Sequence, residues 1–259
     1  MVEALFWPAL LAYGEAAFAY IGSVRRPGRL ASLGTWGVRI GWLLQTALLA
    51  AQAVRAESFP WATWAGSLNL FVWFVVGVYL IWGCNSHFRL VGLGVMPLAA
   101  GLLVLAWLGG GTDVEPGSGR YSTLFLALHV VLVLAAFAGF TLAAALSALY
   151  LWQERRLKAC PVDILRLRLP ALATLERLTR RTIAVALPAL TLGIGVGLLR
   201  LERDGGGVDA LMAVTGLTWA VYGGFLVARP TGRRAAHVAL LGFALVVVAR
   251  LGLPLTHFS

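Results

Sequence analysis

The chain has 259 residues, 60% hydrophobic and 12% charged, with mean hydropathy +0.84 and a formal charge of +10. A soluble domain of this length carries roughly a quarter charged residues, so the balance excludes a water-soluble globule and fits a chain built for lipid. In a soluble protein the positive charge would suggest nucleic acid; here the cations lie at the ends of apolar runs, where they set topology, and no nucleic-acid partner is expected.

Eight membrane spans are predicted. The first, 4–24, stops at Arg25, Arg26, Pro27, Gly28 and Arg29, and the second covers 33–54. Glu3 and the lack of a basic leader make the first run a spanning helix rather than a cleavable signal peptide. A loop with Arg55, Glu57, Pro60, Trp61 and Trp64 leads to the third span, 65–84. His87 and Arg89 precede the fourth, 90–108, which is followed by the loop GGGTDVEPGSGR, Gly109 to Arg120. The fifth, 122–152, is the longest apolar run, and its one strongly polar side chain between Leu124 and Trp152 is His129. Nearly thirty residues at ~1.5 Å each cross a ~30 Å hydrocarbon core with length to spare. Arg155, Arg156 and Lys158 close it. Spans six to eight are placed at 183–199, 210–228 and 235–253.

Between spans five and six, 170–181 alternates leucines with Arg177, Arg180, Arg181 and Glu176, the pattern of an amphipathic helix lying in the interface. Its expected role is anchoring, with a docking surface for a cytoplasmic partner as the alternative. The fold class is therefore all-α: a polytopic membrane protein, a bundle of about eight transmembrane helices with an interfacial helix between spans five and six, in one transmembrane domain over 1–259.

Charge asymmetry gives the orientation. Of 21 Lys and Arg, only Arg55, Arg120, Arg200 and Arg203 fall in the loops after even-numbered spans, and Arg39 and Arg250 lie within spans, leaving 15 in the alternate loops. By the positive-inside rule those 15 are cytoplasmic, and both termini lie outside.

Enzyme motifs are scarce. There is no phosphate-binding loop, dinucleotide fingerprint or HExxH, and Cys84 and Cys160 form no paired spacing. Gly193, Gly195 and Gly197 read as close helix packing. Of four histidines, His87 and His237 lie beside arginines at inner span ends and read as structural. His129 opens span five from the outer side, and His257 follows span eight in the outer tail LPLTHFS. Two neutral imidazoles on one face would supply both axial ligands to a haem iron. Arg250, two turns before His257, would pair with a haem propionate. Its alternative is structural pairing, which is also the expectation for Arg39 with Glu15. Trp61, Trp64 and Trp73 read as an interfacial belt.

The order of segments resembles the cytochrome c assembly family of membrane proteins, the CcsA, CcmC and HemX-like group. The resemblance rests on Leu128-His129-Val130, Phe137, Phe140 and Tyr150-Leu151 before QERRLK, and on LPALATLERLTRRTIAVALPALTLGIGVG, Leu169 to Gly197. Thr218, Trp219 and Tyr222 match a TW-x-x-Y helix; Gly232 to Ala236 and Gly242-Phe243 match the entry into the last span, which His257 follows. The chain departs from the haem-handling members in its loop Arg200 to Asp209, RLERDGGGVD, which lacks their tryptophan-rich WGxxWxWDxKE segment. Val227 stands where cytochrome c synthases carry an intramembrane histidine. Both departures place it nearer the small HemX-like branch.

The resemblance implies a protein of cytochrome c biogenesis in a bacterial cytoplasmic (inner) membrane, binding or presenting haem b at the outer face through His129 and His257, with Arg250 nearby. Its implied partners are haem, other cytochrome c assembly or membrane-complex subunits, and the bilayer. It would be an assembly factor rather than a catalyst by itself. The alternative is a non-catalytic HemX-like regulatory or assembly subunit that has lost haem binding and acts through protein partners.

Overall fold

A backbone in lipid has no water to bond, so a long apolar run must close its hydrogen bonds on itself, and the helix does this locally. The computed structural model describes residues 2–25, 29–55, 61, 63–83, 89–111, 123–158, 170–204 and 210–249. Among these residues are eight helices and no strand: α1 (Val2–Arg25), α2 (Arg29–Arg55), α3 (Trp64–Gly83), α4 (Arg89–Leu108), α5 (Thr123–Lys158), α6 (Leu172–Asp204), α7 (Ala210–Ala228) and α8 (Gly232–Val247).

Six of them are long and apolar enough to cross a bilayer, over Ala4–Ser23, Trp64–Ile81, Val91–Leu108, Leu126–Lys158, Leu172–Leu199 and Ala210–Ala228. The other two expected spans are helical but fall short for different reasons. Within the described residues α8 offers an α-helix of 16 residues, and it opens with Arg233, Arg234 and His237. α2 has the length, at 27 residues, but carries Arg39, Gln45 and Gln52. It is turned inside out relative to a soluble helix: Gln45 and Gln52 are fully buried, whereas Leu33, Trp36, Ile40 and Leu43 are exposed.

The amphipathic stretch expected over 170–181 is helical from Leu172 and runs without a break into the following span as α6. Its faces follow the sequence pattern, with Leu175 and Leu178 buried and Arg177 and Arg181 exposed.

The chain divides into two compact units, Met1–Leu126 and Ala127–Ser259. In the first, α1 packs against α2 and α4, and α3 against α4 and α2. The α1–α2 approach is close at glycine: a Cβ on Gly37 would lie 3.1 Å from the Ala12 carbonyl oxygen, tighter than ordinary van der Waals contact. The buried amide of Gln45 is paired across helices, whereas the buried Asn69 Nδ2 has no partner. Tyr13 Oη–H donates to Gln45 Oε1 at 2.7 Å, and Gln45 Nε2 donates to Asn69 O at 3.0 Å and Asn69 Oδ1 at 2.9 Å. α1, α2 and α3 are thus pinned in register by one amide.

In the second unit α7 packs against α6 and α8. Phe140 of α5 stacks on Tyr222 of α7, with ring centroids 3.9 Å apart and planes at 12°. Tyr222 is fully buried, its hydroxyl donates to Ala239 O at 3.1 Å, and its ring fills the space left at Gly242. One aromatic side chain therefore ties α5, α7 and α8 together.

Candidate functional site

α5 is rich in alanine and leucine, strong helix formers, and has no proline from Thr123 to Lys158. It runs antiparallel to α6, as the facing positions show. A Cβ on Gly139 would meet Ala186 Cβ at 2.8 Å, one on Gly193 would meet Val133 Cγ2 at 2.8 Å, and one on Gly197 would meet His129 Cε1 at 2.9 Å. Gly193 and Gly197 are one turn apart on the same face of α6. Together they open a notch in that helix: Val133 fills it at Gly193, and the half-buried imidazole of His129 fills it at Gly197.

The notch also supplies a hydrogen bond. His129 Nδ1 lies 2.8 Å from the carbonyl oxygen of Gly193. A carbonyl oxygen only accepts, so the ring nitrogen facing it must carry the proton. In the neutral ring that leaves the Nε2 lone pair without a proton. A helix carbonyl has a second lone pair for such a contact, and the missing side chain at Gly197 lets the ring approach it. The result is an imidazole of fixed tautomer and orientation with a basic nitrogen to offer, the arrangement that metal-binding histidines adopt.

α6 is itself held in place on its other side. Trp219 Nε1 of α7 donates to Thr191 Oγ1 at 2.9 Å, two residues from Gly193, and the Thr191 hydroxyl donates to Leu187 O at 2.9 Å.

Of the three candidate site residues, the structure places His129. Arg250, His257 and also His87 lie outside the described residues. His237 is at the opposite end of the second unit from His129, exposed, with Nδ1 2.7 Å from Arg233 O. Among the described residues no group of three or more His, Cys, Asp or Glu comes together. Arg39 and Glu15 are both exposed, and the Arg39 guanidinium lies 5.2 Å from the Trp36 ring centroid. The indoles expected as a belt are engaged inside the first unit: Trp61 Nε1 donates to Gln52 Oε1 at 3.2 Å, and Trp73 stacks on Trp42 and donates to Thr46 Oγ1 at 2.7 Å.

Sequence reasoning read Gly193 and Gly197 as packing residues and missed that they seat His129. The one signal that would have found this is their four-residue spacing, equal to that of His129 and Val133 opposite.

Residues 61–257 match the sequence model of the cytochrome c assembly protein family. The chain belongs to that family. The match takes in His129, Gly193 and Gly197, and starts after α1 and α2. Family membership and the six apolar spans make this a multi-pass membrane protein.

Among relatives in the family, protein HemX of Brevibacillus brevis is 30% identical over 226 residues, covering 84% of this chain and 82% of its own. The cytochrome c biogenesis protein CcsA of Microcystis aeruginosa is 27% identical over 305 residues, covering 97% and 91%. The CcsA of Synechococcus elongatus is 26% identical over 277 residues, covering 87% and 85%.

Proposed function

We propose that this protein handles haem in cytochrome c biogenesis, binding or presenting it at the outer face of a bacterial cytoplasmic membrane through His129 and His257. The observation that carries this reading is the hydrogen bond from His129 Nδ1–H to the Gly193 carbonyl, which leaves Nε2 free to ligate. The donor chemistry fits haem b: a neutral imidazole binds iron without bringing a charge into lipid. Haem, when bound, would supply a redox-active iron that accepts imidazole nitrogen.

The chain's own residues do the rest. His129 offers one nitrogen and anchors the other, Gly193 accepts the anchoring hydrogen bond, and Gly197 leaves room for the ring. In this proposal His257 supplies the second imidazole, and Arg250 provides a bidentate cation for a propionate. The task is ligation rather than catalysis, shared with other assembly or membrane-complex subunits. The positive-inside arrangement of the cations supports an orientation with both termini outside.

A second reading has its own observation. The loop 200–209, RLERDGGGVD, holds no tryptophan to cover a porphyrin. On that reading the chain is a HemX-like regulatory or assembly subunit without haem, acting through protein partners.

Absorption spectra of the detergent-purified protein, oxidised and reduced, separate the two. The expected result is a sharp low-spin reduced spectrum in wild type that is lost in His129→Ala and in His257→Ala. A wild type that purifies without haem and retains none after hemin is added and the excess removed would transfer the assignment to the regulatory reading.

A further inference from the structure

At one end of the second unit, contacts gather the end of α5, the start of α6 and the α7–α8 turn. Gln153 Nε2 donates to Pro170 O at 3.1 Å, Arg180 Nη2 donates to Pro230 O at 3.0 Å, and the Gly232 N–H donates to Glu176 Oε2 at 3.2 Å. The Tyr150 hydroxyl lies against Gly232, which sets α5 beside the start of α8.

Among the described residues, both carboxylates at this end are already engaged. Glu154 binds Lys158 at 2.7 Å, and Glu176 takes the Gly232 N–H and faces Arg180 at 3.6 Å. Arg155 and Arg156 of α5 and Arg233 and Arg234 of α8 are exposed; among the described residues none of the four has a carboxylate within 4 Å, and Arg233 faces Glu154 only at longer range. Beside them Trp152 is 41% exposed, with the Arg156 guanidinium 5.6 Å from its ring centroid.

This end closes three membrane-crossing helices, so it lies at headgroup level, where an indole marks the acyl boundary. Topology requires cations there but not their gathering on two adjoining helices in excess of the described carboxylates. Guanidinium forks match phosphate oxygens in pairs.

We propose that this end of the second unit binds the phosphodiester headgroup of an anionic phospholipid, held by Arg155, Arg156, Arg233 and Arg234, with Trp152 against the upper acyl chain. The proposal is independent of haem binding.

The test uses the full chain, reconstituted in phosphatidylcholine bilayers containing a minor fraction of phosphatidylglycerol and then extracted in mild detergent. Mass spectrometry counts the retained lipids. Wild type is expected to retain phosphatidylglycerol well above its bulk share. Arg155→Gln with Arg156→Gln, and separately Arg233→Gln with Arg234→Gln, should weaken retention by roughly fivefold for each arginine removed. Making the pairs separately keeps the test readable if the fourfold variant does not fold. Arg55→Gln, an exposed cation of the first unit, should change nothing. Retention at the bulk ratio in wild type, or enrichment unchanged in both paired variants, would overturn the proposal. So would displacement of the lipid by millimolar inorganic phosphate, which would make the surface a site for soluble phosphate.

Discussion

His129 and its two glycines form a unit that single substitutions can take apart. Gly197→Ala places a methyl 2.9 Å from the imidazole Cε1, so the ring must leave the Gly193 carbonyl or the helices must separate. Overpacking of this kind costs about 1–3 kcal/mol. Thermal unfolding in detergent should show the loss, and hemin titration should show an affinity at least several-fold weaker. Gly195→Ala is the matched control, because nothing lies within 4 Å of its added methyl and neither readout should move. If both variants weaken hemin binding equally, the notch is not what positions His129. The amide of Gln45 makes a second case. Gln45→Leu strands the Tyr13 hydroxyl and removes the donor to Asn69 in a site closed to water, at about 1–3 kcal/mol for each group left unpaired. Tyr13→Phe removes one bond and strands only the Gln45 acceptor, so its unfolding midpoint should fall less.

At the scale of elements, α6 carries the most consequence: it is at once the amphipathic segment, a membrane-crossing helix and the wall of the His129 notch. Its first turns also hold the α7–α8 turn, through Glu176 on the Gly232 N–H and Arg180 on Pro230 O. Glu176→Ala frees that amide and leaves Arg180 without its neighbouring carboxylate. The expected effect is local, on the order of 1 kcal/mol for a partly exposed bond, and is read as faster limited trypsin cleavage after Arg233 and Arg234. An unchanged cleavage rate would mean that α8 docks without this clasp. The sequence made both halves of α6 legible, since leucine periodicity marks 170–181 and apolarity marks 183–199. Their continuity was not legible. Thr179 and Thr182 look polar along the chain, yet both are buried, because close packing with neighbouring helices, not composition, sets their environment.

Across the whole molecule, composition alone announced lipid, and apolar runs punctuated by arginines located all eight helices. The division into two units was not readable, because it depends on which helices choose each other. The imidazole seat escaped for the same reason: a histidine and two glycines more than sixty residues apart carry no sign of being neighbours. Gln45 and Gln52 gave the opposite difficulty, lowering the apolarity of α2 while facing inward. That inward placement bears on how the chain enters the bilayer during synthesis. Alone in hydrocarbon, α2 would hold two amides with no partners, each costing several kcal/mol. The partners come from Tyr13, translated before it, and from Asn69, Trp61 and Gly111, translated after it. The second helix should therefore wait at the insertion machinery and partition only with its neighbours. A glycosylation reporter should find α2 poorly inserted when fused alone, better inserted behind α1, and fully inserted once α3 and α4 have followed.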